Sequence, residues 1–131
     1  MLINIIGGSG FIGSRLSDLL IKANKPFKIL DKVPSKSFPE KSLIGDIRSQ
    51  NDLRKKISQE GIIINLAAEH RDDVQPISLY EQVNVEGSKN ICDVAEEKKI
   101  KTIIFTSSVA VYGFAPVGTN ESGEINPFND Y

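Results

Sequence analysis

Leu2-Ile3-Asn4-Ile5-Ile6-Gly7-Gly8-Ser9-Gly10-Phe11-Ile12-Gly13 opens the chain and decides its reading. Leu2 to Ile6 is a short, mostly β-branched apolar run that ends at a glycine pair, the pattern of a strand buried on both faces. Glycines then recur at 7, 10 and 13. Gly7 permits a sharp exit from the strand. Gly10 lets a diphosphate approach the backbone where a Cβ would obstruct it, and Gly13 lets the following helix pack closely. Free N–H groups and the helix dipole then hold phosphate without any lysine. The turn carries weight because a strand precedes it and an amphipathic helix follows.

That helix is predicted over Phe11 to Ala23, with Phe11, Ile12, Leu16, Leu19, Leu20 and Ala23 on one face. Pro26 marks a turn, and Phe27 to Leu30 reads as a second strand closed by Asp31. Asp31 stands 18 residues after Gly13. A carboxylate there accepts hydrogen bonds from both hydroxyls of an adenosine ribose and repels a 2′-phosphate, which favours NAD over NADP. Lys32 beside it offsets part of that repulsion.

Val33 to Lys41 has two prolines and no period and is expected as loop. Leu43-Ile44 makes a short third strand before Gly45-Asp46. Ser49 or Asn51 caps a helix running to about Glu60, with Leu53 and Ile57 inward. Ile62 to Ala68 is a fourth strand, followed by loop through Pro76. Ser78 to Lys99 is a long helix with Val83, Gly87, Ile91, Val94 and Ala95 on one face, Ile103 to Thr106 is a fifth strand, and loop is expected from Val109 onward. The order β-α-β-β-α-β-α-β predicts an α/β, Rossmann-like parallel sheet of order 3-2-1-4-5 with helices on both faces. Its binding crevice lies at the carboxyl ends of the strands.

Composition sets the outer bounds. The 131 residues fit one domain, with 40% hydrophobic and 25% charged residues. Sixteen basic and 17 acidic residues leave a formal charge of −1, so bulk charge gives no reason to bind nucleic acid or an anionic membrane. No run of 18 apolar residues exists, and Met1 to Gly8 lacks the basic start of a signal peptide; a soluble, cytoplasmic chain is expected. A single cysteine, Cys92, excludes an internal disulfide and a cysteine metal cluster, and it reads as a small packing residue. His70, the one histidine, has no nucleophile or second imidazole beside it. Asp72 and Asp73 form an acidic pair that could attract a cation together with Glu69, but adjacent carboxylates in a loop are usually solvated, and no metal is expected.

Further segments complete a pattern. Gly45-Asp46-Ile47, Leu66-Ala67-Ala68, Asn84-Val85-Glu86-Gly87, Ser107 through Gly113 (SSVAVYG) and Asn126 through Tyr131 follow the glycine turn in order. With it they resemble the extended short-chain dehydrogenase/reductase family, the nucleotide-sugar epimerases and dehydratases, over the whole chain. The resemblance implies that Gly7, Gly10, Phe11, Ile12 and Gly13 contact NAD, together with Asp31 and Lys32. It also implies that Asp46 meets the adenine amino group, Ile47 packs on the base, and Leu66, Ala67, Ala68 and Asn84 line the middle of the cofactor. No metal is implied.

It further implies that Ser108 hydrogen-bonds the reacting sugar oxygen and that Tyr131 takes the hydroxyl proton. Tyr112 belongs to the turn and has no such role. A phenol with a pKa near ~10 needs a cation to act at neutral pH. The family provides a lysine four residues on, at position 135, beyond the last residue here. Hydride leaves the same sugar carbon for NAD; an epimerase returns it to the other face, and a dehydratase uses the keto sugar to expel water. The resemblance therefore implies the amino-terminal part of a longer protein. Residues 1–131 would be an incomplete NAD-binding domain, inactive alone and without the substrate domain that receives the nucleotide sugar. An NAD(P)H-dependent carbonyl or sugar reductase and a non-catalytic dinucleotide-binding module remain as alternatives. The fifth strand is expected as an open sheet edge that invites self-association.

Overall fold

The structure is a computed structural model that describes residues 1–128. Five parallel strands form one sheet in the order β3-β2-β1-β4-β5, as the sequence predicts. They are β1 (Ile3–Ile6), β2 (Phe27–Asp31), β3 (Ser42–Ile44), β4 (Ile62–Asn65) and β5 (Thr102–Phe105). The helices are α1 (Phe11–Lys22), α2 (Gln50–Lys56), α3 (Ser78–Tyr80) and α4 (Gly87–Glu97). Among the described residues no helix is long and apolar enough to cross a membrane.

The central strand β1 pairs Ile3 to Ile6 with Phe27 to Leu30 on one side and with Ile62 to Asn65 on the other. Alternate residues therefore face opposite layers. Ile5, Phe27 and Ile29 pack toward α1 with Leu16 and Leu20. Ile6, Leu30 and Ile63 pack toward α2 and α4 with Ile47, Leu53, Ile57, Ile91, Val94 and Ala95. Asn4, inside the central strand, is satisfied: its Nδ2 donates to the Ile62 carbonyl at 3.2 Å and its Oδ1 accepts from Ser58 N–H at 3.0 Å.

Several boundaries differ from expectation. On α1 the inner face is Gly13 and Ser17, with Leu16 and Leu20 half-buried, whereas Phe11, Ile12 and Leu19 point outward. The helix lies so close to the preceding turn that small residues must occupy the contact. Helix α2 is capped by Ser49, whose side chain accepts from Asp52 N–H at 3.2 Å. It ends at Lys56 rather than near Glu60, because Ile57 turns to extended backbone and buries its side chain. Strand β4 stops at Asn65, not Ala68: Asn65 Oδ1 accepts from Ala67 N–H at 3.1 Å and bends the chain out of the ladder.

The long helix is not uniform. A turn of α-helix, α3, passes into a π-helical turn at Glu81–Glu86 before α4 begins. Cys92 is exposed, correcting its assignment to packing: the inner face of α4 is Gly87, Ile91, Val94 and Ala95, and Cys92 lies about 100° round from Ile91. Within the loops, Pro39–Lys41 and Val109–Tyr112 each form a 3-10 turn. The edge strands are less covered than a sheet buried on both faces requires: Leu43 and Ile44 are exposed, and so is every residue of β5.

Candidate dinucleotide site

The carboxyl ends of β1, β2 and β4 converge on a cavity of about 430 Å³. Strand order explains its place: β1 leads to α1 on one layer while its neighbours lead elsewhere, so their ends splay apart. Its floor is the glycine turn. Gly7 has φ +74°, and a Cβ there would sit 2.5 Å from Ala67 N, so both backbone hand and close approach demand glycine. A Cβ at Gly13 would lie 2.3 Å from the Gly8 carbonyl oxygen, so this glycine packs α1 on its own turn. At Gly10 a Cβ would meet only the Gly7 oxygen at 3.7 Å. The chain itself does not need glycine there, and the space it leaves opens to the cavity that Gly7, Ser9 and Gly10 line.

Gly10 is also the N-cap of α1. No side chain caps it, and the first turn holds no acid. The amino-terminal N–H groups of a 12-residue helix are thus left for an anion. This cradle fits the diphosphate of a dinucleotide.

On the β2 wall, Asp31 accepts from Ser9 N–H at 2.9 Å and from Val33 N–H at 3.3 Å, one bond to each oxygen. Each oxygen retains acceptor capacity for a ribose hydroxyl. Beyond it, Gly45, Asp46 and Ile47 line the cavity. Ile47 is buried, and its side chain fills the space against Gly87, where a Cβ would lie 2.6 Å from Ile47 Cδ1. That contact accounts for a glycine inside a helix. Asp46 takes both Nε and a terminal nitrogen of Arg48, the latter at 2.6 Å, and Arg48 N–H at 2.9 Å. The Arg48 guanidinium holds the Asp46 carboxyl below the usual carboxylate range, against a smaller opposing effect of burial.

On the β4 wall lie Leu66, Ala67, Ala68, Glu69 and His70, with Leu79 and Val83 behind them. Asn84 is not on the cavity surface. Its side chain holds the Glu69 peptide, accepting from N–H at 2.8 Å and donating to the carbonyl at 2.9 Å. Lys32 reaches over from β2 to Glu69, Nζ to carboxylate 3.6 Å.

The cavity thus gathers Gly7, Gly10, Asp31, Lys32, Asp46, Ile47, Leu66, Ala67 and Ala68 from the residues expected to bind cofactor. Phe11 and Ile12 stand outside it, exposed, with the Arg15 guanidinium 5.6 Å above the Phe11 ring. Gly13 lies behind the cradle. Ser108 is half-buried away from the cavity lining; its Oγ accepts from Ala110 N–H at 3.1 Å and caps the Val109–Tyr112 turn. Gly113, at φ +58°, closes that turn against the Asn126 carbonyl, and Asn126 N–H donates to the Val111 carbonyl at 2.8 Å. Tyr131 lies outside the described residues. Sequence reading missed Ser9, Val33, Arg48, Leu79 and Val83. Arg48, two residues after Asp46, carried a local signal, whereas Leu79 and Val83 reach the site only through the path of the helix. Among the described residues no group of three histidine, cysteine or acidic side chains is placed to hold a metal ion.

Residues 3–131 match the NAD dependent epimerase/dehydratase family, and the chain belongs to it. NAD is the cofactor of that family. The N-acetyl-alpha-D-glucosaminyl-diphospho-ditrans,octacis-undecaprenol 4-epimerase of Escherichia coli O157:H7 is 46% identical over 127 residues, 97% of this chain and 38% of the relative. A decarboxylating sterol-4-alpha-carboxylate 3-dehydrogenase of Candida albicans is 34% identical over 121 residues, 82% of this chain and 34% of its own length. A crystal structure of UDP-glucose 4-epimerase from Brucella ovis in complex with NAD superposes with a TM-score of 0.86 at 26% identity, covering 99% of this chain and 43% of that one. The chain spans well under half the length of each of these relatives.

Proposed function

We propose that this chain is the NAD-binding part of an enzyme that epimerises a sugar carried on a diphosphate. One observation carries the reading: a side-chain-free cradle, at an uncapped helix start, between Asp31 on one wall and Leu66-Ala67-Ala68 on the other. The 46% likeness to a relative named for a sugar on diphospho-undecaprenol supports a diphosphate-linked substrate, with a nucleotide sugar the other carrier. NAD, when bound, supplies a hydride acceptor that can give the hydride back.

The chain's own residues divide the remaining work. The amide groups of the glycine turn hold the diphosphate, Asp31 accepts the adenosine ribose hydroxyls, and Ile47 packs on the base. Ser108 holds the reacting sugar oxygen and Tyr131 takes its proton. Turnover is assigned to a longer protein that adds the sugar-binding region; residues 1–131 form an incomplete domain that binds without turning over. The open edge of β5, bonded to β4 alone among the described strands, gives the isolated chain a route to self-association. A monomer at every concentration in sedimentation would discard that route.

Titration of the chain with ADP-ribose tests the cradle directly: saturable binding is expected, and its absence refutes the reading. In the full-length enzyme, Ser108→Ala and Tyr131→Phe are each expected to lower turnover by about 100-fold or more; unchanged turnover would discard their roles. Oxidation without return of the hydride is the second reading, favoured by the likeness to the sterol dehydrogenase. Net NADH formed in step with substrate consumed would select it, since an epimerase accumulates none.

A further inference from the structure

Lys32 and Glu69 sit on opposite walls of the crevice. Lys32 directly follows β2, Glu69 lies beyond the end of β4, and β1 runs between those strands. Their charged atoms nevertheless approach to 3.6 Å. The two ends differ in freedom. The Lys32 side chain is 70% exposed, whereas the Glu69 side chain is 11% exposed and its peptide is fixed on both sides by Asn84. Lysine is the freer partner, and its ammonium stands against the fixed carboxylate. The same carboxylate also faces Arg71 Nε at 3.7 Å.

We infer that Glu69 sets the dinucleotide preference of this crevice at one remove, by holding the Lys32 ammonium away from the ribose position next to Asp31. The inference rests on the proposed dinucleotide reading of the site. Asp31 alone disfavours a 2′-phosphate, but a cation on the adjacent residue would ordinarily compensate and admit one. With Lys32 committed to Glu69, the compensation is withheld. Discrimination is thus shared by a carboxylate that meets the ribose and a second carboxylate that never touches it. Glu69 is a positioning residue, acting through Lys32.

The test compares ADP-ribose with 2′-phospho-ADP-ribose, by calorimetric titration of the same chain. In Glu69→Gln the side chain keeps its shape, and its backbone keeps the Asn84 bonds. The substitution is expected to raise affinity for 2′-phospho-ADP-ribose about fivefold and to leave ADP-ribose within about twofold. Adding Lys32→Met to it is expected to remove the gain. A gain that survives Lys32→Met, as one arising from Arg71 would, overturns the inference, and so does an equal change for both ligands. Circular dichroism reads folding first; should Glu69→Gln not fold, Glu69→Ala carries the same expectation. If the unsubstituted chain binds neither ligand, the dinucleotide reading falls and the inference with it. If ADP-ribose binds and the ratio does not move, the inference alone falls.

Discussion

Asn84 grips the peptide of Glu69 from both sides, its Oδ1 accepting at 2.8 Å and its Nδ2 donating at 2.9 Å. The bonds join the π-helical turn to the loop after β4, so the wall of the crevice is held from a helix rather than by the strand it follows. Asn84→Leu leaves a part-buried N–H and carbonyl without partners and is expected to cost about 2–3 kcal/mol in urea unfolding. Asn84→Asp keeps the acceptor but sets a carboxylate against the Glu69 carbonyl; its midpoint is expected between the other two.

The glycines of the cradle should separate into two kinds. At Gly13 an added Cβ meets backbone at 2.3 Å, so Gly13→Ala is expected to destabilise by about 2 kcal/mol or more. At Gly10 the backbone is ordinary, φ −77°, and the space is open. Gly10→Ala is expected to unfold within about 1 kcal/mol of the unsubstituted chain while losing ADP-ribose affinity by about tenfold or more. Parallel melts and titrations check both.

Ser49 provides the side-chain bond at the start of α2, a seven-residue helix too short to hold without help. Ser49→Ala is expected to lower stability by about 1 kcal/mol. Because Leu53 of that helix is fully buried in the layer under Ile47, the loss should appear in global unfolding rather than as local fraying, by hydrogen exchange.

Asp46 titrates lower in the folded chain than in the unfolded one, chiefly through its hydrogen bonds from Arg48. A depressed carboxylate stabilises above its unfolded value, near ~3.9, and loses that contribution as pH falls through the folded value. Both partners are well exposed, so the effect is under about 1 kcal/mol. Melting temperatures of the unsubstituted chain and Arg48→Met should differ by a constant amount above about pH 5 and converge below about pH 4. A difference that grows on acidification would contradict the assignment.

What the sequence disclosed tracks how local each signal was. Strand order followed from short apolar runs separated by helices, the glycine turn and Asp31 announced the crevice because each lies at the end of a strand, and Asp46 entered through the family resemblance. The face of α1 was misjudged because hydrophobicity marked Phe11, Ile12 and Leu19, while close packing selected Gly13 and Ser17 for the interior. The end of β4 was misjudged because an apolar run does not show that Asn65 bonds its own chain two residues on. Pairs such as Lys32 with Glu69, or Gln50 with Asp93 at 3.0 Å, join residues distant in sequence, and nothing in either segment points to the other.

The π-helical turn at Glu81–Glu86 has one consequence for change in length. Relative to an unbroken α-helix it inserts a residue, which rotates everything upstream by about 100° about the axis. Leu79, upstream of the turn, lines the crevice, Val83 within the turn touches both crevice and apolar layer, and Ile91 and Val94 pack in the apolar layer. Deleting a single residue here would restore a regular spiral yet swing Leu79 off the crevice wall. The segment should tolerate exchange of side chains far better than any shortening.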